Sequence, residues 1–208
     1  MIEIIPSILV KTKEELVEKI KAVEPYVQRI HLDIGDGIFV PSTTIGLSEF
    51  EQIETNIETE VHLMVSNPEN QAVSWAQTKA TTFIFHIEAT ENLQEVINKF
   101  REAEKSVGVA LNPKTPTNEI ANIVDLVDFV HFMTVEPGFY GSSFEDSVLD
   151  KISDFHYFYP DKSIQVDGGI NLQTAPKLIQ AGAKTLISGS YIFENGNIEE
   201  AINSLKNV

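Results

Sequence analysis

The sequence contains no cysteine, one tryptophan, and 15 Lys and Arg against 31 Asp and Glu. Without cysteine there can be no disulfide and no thiolate metal site, which suits a cytoplasmic protein without requiring one. The formal net charge of −16 opposes a phosphate backbone, and no basic cluster occurs along the chain, so nucleic acid is not an expected partner. A solvated acidic surface accounts for the charge. Long apolar runs are missing too: none approaches the ~20 residues that cross a bilayer. The opening MIEIIPSILV enters a strand-like pattern with no basic leader. Neither secretion nor membrane attachment is expected, and the expected location is cytoplasmic. Linkers, repeats and low-complexity tracts are also absent, so residues 1–208 read as a single domain.

What the sequence does contain is an unbroken alternation. Strand-like runs are IEIIPSIL, VQRIHLDI, TEVHLMV, TTFIFHIE, VGVALN, VDFVHFMTV, SIQVDGG and TLISGSYIF. Stretches of helical period lie between them: Leu16, Ile20 and Val23; Leu93, Val96, Ile97 and Phe100; Ile198, Ala201, Ile202 and Leu205. Near-continuous apolar strands, each followed by a helix, predict a parallel sheet closed into a single (β/α)8 TIM barrel, with an open doubly wound sheet as the alternative.

In a barrel, chemistry belongs at the C-terminal ends of the strands. Ser7, His31, Asp33, His62, His86, Asn112, Thr134, Glu136, Asp167, Ser188 and Ser190 fall there. Residues two apart on a strand share a face, so His31 and Asp33 project together into the interior, while Asp36 has the opposite parity and suits the following turn. With His62 and Asp167 they form two imidazoles and two carboxylates at one barrel mouth. That donor set suits a divalent transition metal ion, Zn, Mn, Fe or Co, better than Mg or Ca. Glycines in VEPGFYGSS, VDGGIN and ISGSYIF fit backbone N–H recognition of phosphate, and equally fit ordinary tight turns between strand and helix.

The segments PSIL, IHLDIGDGIFVPSTTIG, VHLMVSNP, FHIEAT, LNPKTP, FMTVEPGFYG, VDGGIN and ISGSYIF occur in an order that resembles the ribulose-phosphate 3-epimerase family. These are metal-dependent (β/α)8 enzymes of pentose phosphate metabolism, and the resemblance spans essentially the whole chain. It implies His31, Asp33, His62 and Asp167 as metal ligands, with Asp33 and Asp167 also the catalytic acid/base pair. It further implies substrate contacts from Ser7, His62, Met64 and Met133, and phosphate-holding loops at Gly138, Phe139, Gly141, Gly168, Gly169, Gly189 and Ser190. A sugar phosphate substrate and a homo-oligomer follow from the same resemblance. Departures from the family pattern are Val10, Lys11 and Thr12 after PSIL, Gly35 in place of a methionine, Ser42 in place of an asparagine, and Tyr140, Gly141 and Ser142 in the lid. None is a metal ligand.

The expected reaction interconverts D-ribulose 5-phosphate and D-xylulose 5-phosphate by two-aspartate proton transfer through a C2–C3 enediolate. The smaller Gly35 and the altered lid also allow a hexulose phosphate, as in the related allulose 6-phosphate 3-epimerases. A barrel that binds sugar phosphate without turnover is a further alternative. Schiff-base aldolase chemistry needs an inward lysine at a strand end, and Lys114 and Lys184 lie beyond or before their strands. The related barrel decarboxylases use a strand-end lysine between acids, which HLDIGDG lacks.

Overall fold

The computed structural model describes residues 2–138 and 143–208. Its eight strands are β1 (Glu3–Ile8), β2 (Arg29–Gly35), β3 (Glu58–Met64), β4 (Thr82–His86), β5 (Ser106–Leu111), β6 (Phe129–Met133), β7 (Ser163–Asp167) and β8 (Thr185–Ser188). They pair in parallel in chain order, and β8 returns to β1 with Glu3 opposite Thr185 and Ile5 opposite Ile187. That last pairing closes the ring and excludes the open sheet.

The helices between them are α1 (Lys13–Val23), α2 (Leu47–Glu51), α3 (Ala72–Ala76), α4 (Leu93–Glu102), α5 (Ser147–Phe158), α6 (Ala175–Ala181), α7 (Ser190–Phe193) and α8 (Ile198–Lys206). The Thr12 hydroxyl accepts from the Glu15 N–H to cap α1, and the Asn197 side chain accepts from the Glu200 N–H to cap α8. The periodic residues face inward as expected: Val96, Ile97, Phe100, Ala201, Ile202 and Leu205 are buried, with Leu93 and Ile198 at the margin.

One connection departs from the expectation of a helix after every strand. Between β5 and β6 the described chain forms two short 3₁₀ turns, Thr117–Ile120 and Val124–Leu126. Pro113 and Pro116 deny this segment early helical hydrogen bonds, and its Thr, Asn, Ile and Val residues are indifferent helix formers. It still buries Ile120, Ile123, Val124 and Val127. Lys151 of α5 pins its start by donating to the carbonyls of Asn112, Pro113 and Thr115 at 2.8, 2.9 and 3.2 Å.

The apolar core lies outside the ring. Leu32, Ile34, Val61, Leu63, Phe83, Phe85, Val109, Phe132, Val166 and Leu186 point from the strands to the helices in one cluster. The opposite parity holds Arg29, His31 and Asp33 on β2, Glu60 and His62 on β3, His86 on β4, His131 on β6, and Gln165 and Asp167 on β7. Most barrels fill this space with branched apolar side chains; here much of it is polar.

Candidate active site

The structure brings the four expected ligands together. The His31 Nε2 lies 3.3 Å from Asp33 Oδ1 and 3.9 Å from Asp167 Oδ2, and the His62 Nδ1 lies 3.1 Å from Asp33 Oδ1. Ser7 donates to the other Asp33 oxygen at 2.6 Å. Below them, Gln165 Nε2 donates to Glu60 at 3.0 Å across the ring. Strands β3 and β7 stand opposite each other in the closed order, so this contact passes through the barrel interior.

These contacts decide which ring nitrogens carry protons. Glu60 is fully buried, and as a carboxylate it only accepts. His31 Nδ1, 2.6 Å from Glu60 Oε1, is therefore the protonated nitrogen. Gln165 must offer its NH₂ to Glu60, which turns its carbonyl toward His131 Nδ1 at 2.6 Å and makes that nitrogen a donor as well. At the other end, the Glu88 carboxylate accepts from His86 Nδ1 at 3.3 Å, from the Asn112 N–H at 2.8 Å and from the Thr115 hydroxyl. His86 Nε2 is then an acceptor, so His62 Nε2, 2.8 Å away, donates to it and His62 Nδ1 is left bare.

Three bare nitrogens, His31 Nε2, His62 Nδ1 and His131 Nε2, thus face the carboxylates of Asp33 and Asp167. The Nε2 atoms of His31 and His131 are buried without a hydrogen-bond partner. Lone pairs aimed at lone pairs repel, and a cation among them removes the conflict. Ligand atoms of His31, His62, His131 and Asp167 lie within 4.8 Å of one another. The residues present fit a divalent transition metal ion.

Above this cluster opens a pocket of about 540 Å³, counting its open mouth, lined by Ser7, Asp33, Met64, Met133, Asp167 and the backbones of Gly138, Gly168, Gly169, Gly189 and Ser190. The pocket lining includes no Lys or Arg. Gly168 has φ +111°, and a Cβ there would sit 2.7 Å from Val135 Cγ2, so only glycine carries the chain past this wall. Asp36 shapes the loop as its parity implies: it accepts from the N–H groups of Ile38, Phe39 and Ser66, each at 2.8 Å. Gly35 is closely packed, because a Cβ there would meet the Ser42 carbonyl oxygen at 2.5 Å. The Ser42 hydroxyl in turn donates to the Gly138 carbonyl, joining two departures from the family pattern to the loop after β6. Phe139 and Gly141 lie outside the described residues. Glu136 faces away, paired with Lys114 on the surface.

The ribulose-phosphate 3 epimerase family model matches residues 3–193. The chain belongs to this family. Among curated epimerases, the ribulose-phosphate 3-epimerase of Bacillus subtilis (strain 168) is 37% identical over 214 residues, covering 99% of each chain. The chloroplastic ribulose-5-phosphate-3-epimerase of Arabidopsis thaliana is 38% identical over 210 residues, 97% of this chain and 75% of its own. Like them, this member of the epimerase family is an isomerase acting on a carbohydrate. Solved structures of KGPDC from Streptococcus mutans and of a 3-hexulose-6-phosphate synthase superpose with TM-scores of 0.78 and 0.74 at 12% and 17% identity. The first match covers 100% of this chain and 96% of the other, and the second 99% of each. At such identities they share the barrel fold.

Within this epimerase-family barrel the two aspartates differ. Burial opposes ionisation of Asp33, yet His31 and His62 outweigh it and hold its pKa well below the usual carboxylate range. Burial, and then the charge of Asp33, push Asp167 up to about 7 against the opposing influence of His31. Burial also works against a charge on His31, but the nearby Asp33 carboxylate and the hydrogen bond to Glu60 raise its pKa well above the ordinary value. Burial, followed by the neighbouring His62 and His31, keeps His131 neutral, with a pKa well below normal. Glu60, His131 and Gln165 lie deeper than the strand ends that single out the other polar residues. Each lies two residues before a residue already singled out, His62, Met133 or Asp167, so the same parity rule would have found them. His86, one of the polar residues at the strand ends, hydrogen-bonds to His62 directly.

Proposed function

We infer that the chain interconverts D-ribulose 5-phosphate and D-xylulose 5-phosphate, with Asp33 and Asp167 moving the proton at C3. The observation that carries this reading is the pocket floor, where the two carboxylates open onto one cavity beside Met64 and Met133. Asp33 lies near the C-terminal end of β2 and Asp167 ends β7, three steps apart round the ring, so the two acids reach a bound substrate from different sides. One takes the proton from C3 and the other returns a proton to the opposite face, with roles exchanged in reverse. A divalent metal ion held by His31, Asp33, His62 and Asp167 would supply Lewis acidity at the substrate's ketone oxygen.

Ser7 holds Asp33 in place from β1. Met64 and Met133 give the enediolate an apolar, polarizable cover that does not compete for protons. The backbone at Gly138, Gly168, Gly169, Gly189 and Ser190 offers N–H groups to the phosphate, in keeping with a pocket free of lysine and arginine. A homo-oligomer belongs to the same reading and is tested by sedimentation.

The test is proton NMR of ribulose 5-phosphate in D₂O with metal-free protein, then with added Zn, Mn, Fe(II) or Co. Deuterium entering at C3 as xylulose 5-phosphate forms, only with metal, is the expected result. Asp33→Asn and Asp167→Asn should each abolish exchange. Full exchange in either variant, or none in the wild-type protein under any metal, overturns the reading.

A further inference from the structure

We propose that His131 is itself a metal ligand of this chain, and that Glu60, acting through Gln165, is the positioning group that keeps its Nε2 bare. This rests on the metal reading above and adds to it a residue outside the set His31, Asp33, His62 and Asp167. Three observations converge. The His131 ring packs against the other two imidazoles, with centroids 4.9 Å from His62 and 5.5 Å from His31, the latter pair nearly parallel at 12°. Its Nε2 is fully buried with no partner, 3.9 Å from Asp167 Oδ2, and belongs to the group of four donors within 4.8 Å. Its Nδ1 is committed to Gln165, whose amide is oriented in turn by Glu60.

A buried histidine serving only as structure would use both nitrogens or lie against apolar neighbours. His131 does neither. One carboxylate, Glu60, sets the tautomers of two histidines on different strands, His31 directly and His131 through an amide, and leaves both with Nε2 facing the same space. Metal-bound histidines almost always donate their second nitrogen to such a partner. His131 thus adds a donor to His31, Asp33, His62 and Asp167, while the second Asp33 oxygen keeps its hydrogen bond from Ser7.

The test uses the whole chain, stripped with a chelator and titrated with Co(II), whose visible bands report coordination. Zn(II) affinity is measured in parallel by competition. His131→Leu should change the Co(II) bands and weaken Zn(II) binding by about tenfold or more, and Gln165→Leu should weaken it by roughly 10–100-fold through the lost orientation. Because a leucine variant could misfold, the wild-type protein labelled with [¹⁵N]histidine is titrated with Zn(II) as well. The His131 Nε2 resonance should move at one equivalent while Nδ1 stays protonated. Wild-type protein that binds one equivalent of metal with an unmoved His131 Nε2 overturns this proposal and leaves the metal reading standing. Wild-type protein that binds no metal overturns both.

Discussion

Glu60 shows how much one side chain can arrange. It is fully buried, accepts from His31 and Gln165, and lies 3.8 Å from the Arg29 guanidinium. Glu60→Leu removes the acceptor from two buried donors and should cost about 3 kcal/mol or more, read as a lower urea midpoint at unchanged m-value. Glu60→Gln keeps the shape and one acceptor oxygen, and should recover part of that loss. Ser7→Ala removes the 2.6 Å hydrogen bond to Asp33 but no ligand. It should lower kcat more than it raises KM, since it loosens an acid without emptying the pocket; steady-state kinetics with KM alone changed would refute this. At this scale the sequence was partly legible. His31, Asp33, His62 and Asp167 stood out as polar residues at apolar strand ends, whereas Glu60, His131 and Gln165 lie deeper, where a polar residue is expected to be an exception. Their meaning depends on β3 and β7 meeting across a closed ring, which no local pattern displays.

Strands and most helices were legible because their apolar periods are strong. The β5–β6 connection was not, because its buried Ile120, Ile123, Val124 and Val127 carry an apolar pattern while Pro113 and Pro116 deny it a continuous helix. Its anchor, Lys151, is half-exposed in part and gives three hydrogen bonds to carbonyls of that loop. Lys151→Met should destabilise the protein by about 2 kcal/mol and make the loop after β5 the first site of limited proteolysis. Just before β6, Asp128 is held by Arg101, the Val107 N–H and Ser106. Burial opposes its charge, but these three partners prevail and its pKa lies below the ordinary value. A folded pKa below the unfolded one stabilises above roughly pH 4, the ordinary aspartate value, and that contribution fades on further acidification. Asp128→Asn should therefore cost stability at pH 7 and little at pH 2.5; equal losses at both pH values in urea titrations would contradict this. The loops hold their shape through tight backbone approach. Gly168→Ala should cost roughly 1–3 kcal/mol, since it places a Cβ at φ +111° and 2.7 Å from Val135.

For the whole molecule, an excess of 31 acidic over 15 basic residues is a standing self-repulsion. Added neutral salt should raise Tm, most steeply at low ionic strength, where screening changes fastest. Among the described residues no helix is long and apolar enough to cross a membrane. The barrel carries its oil outside and its polar groups within, an arrangement that the alternating strands imply only once the ring is known to close. Closure itself joins Glu3 to Thr185. While the chain is being made, β1 emerges with an open edge and waits for β8 roughly 180 residues later, on the order of ten to forty seconds at ordinary synthesis rates. Through that interval an apolar strand offers unpaired backbone to any other nascent chain. The hazard of aggregation in the cell is thus set by how long translation takes to reach β8, and slowing elongation just before residue 185 should lower soluble yield without altering the finished protein.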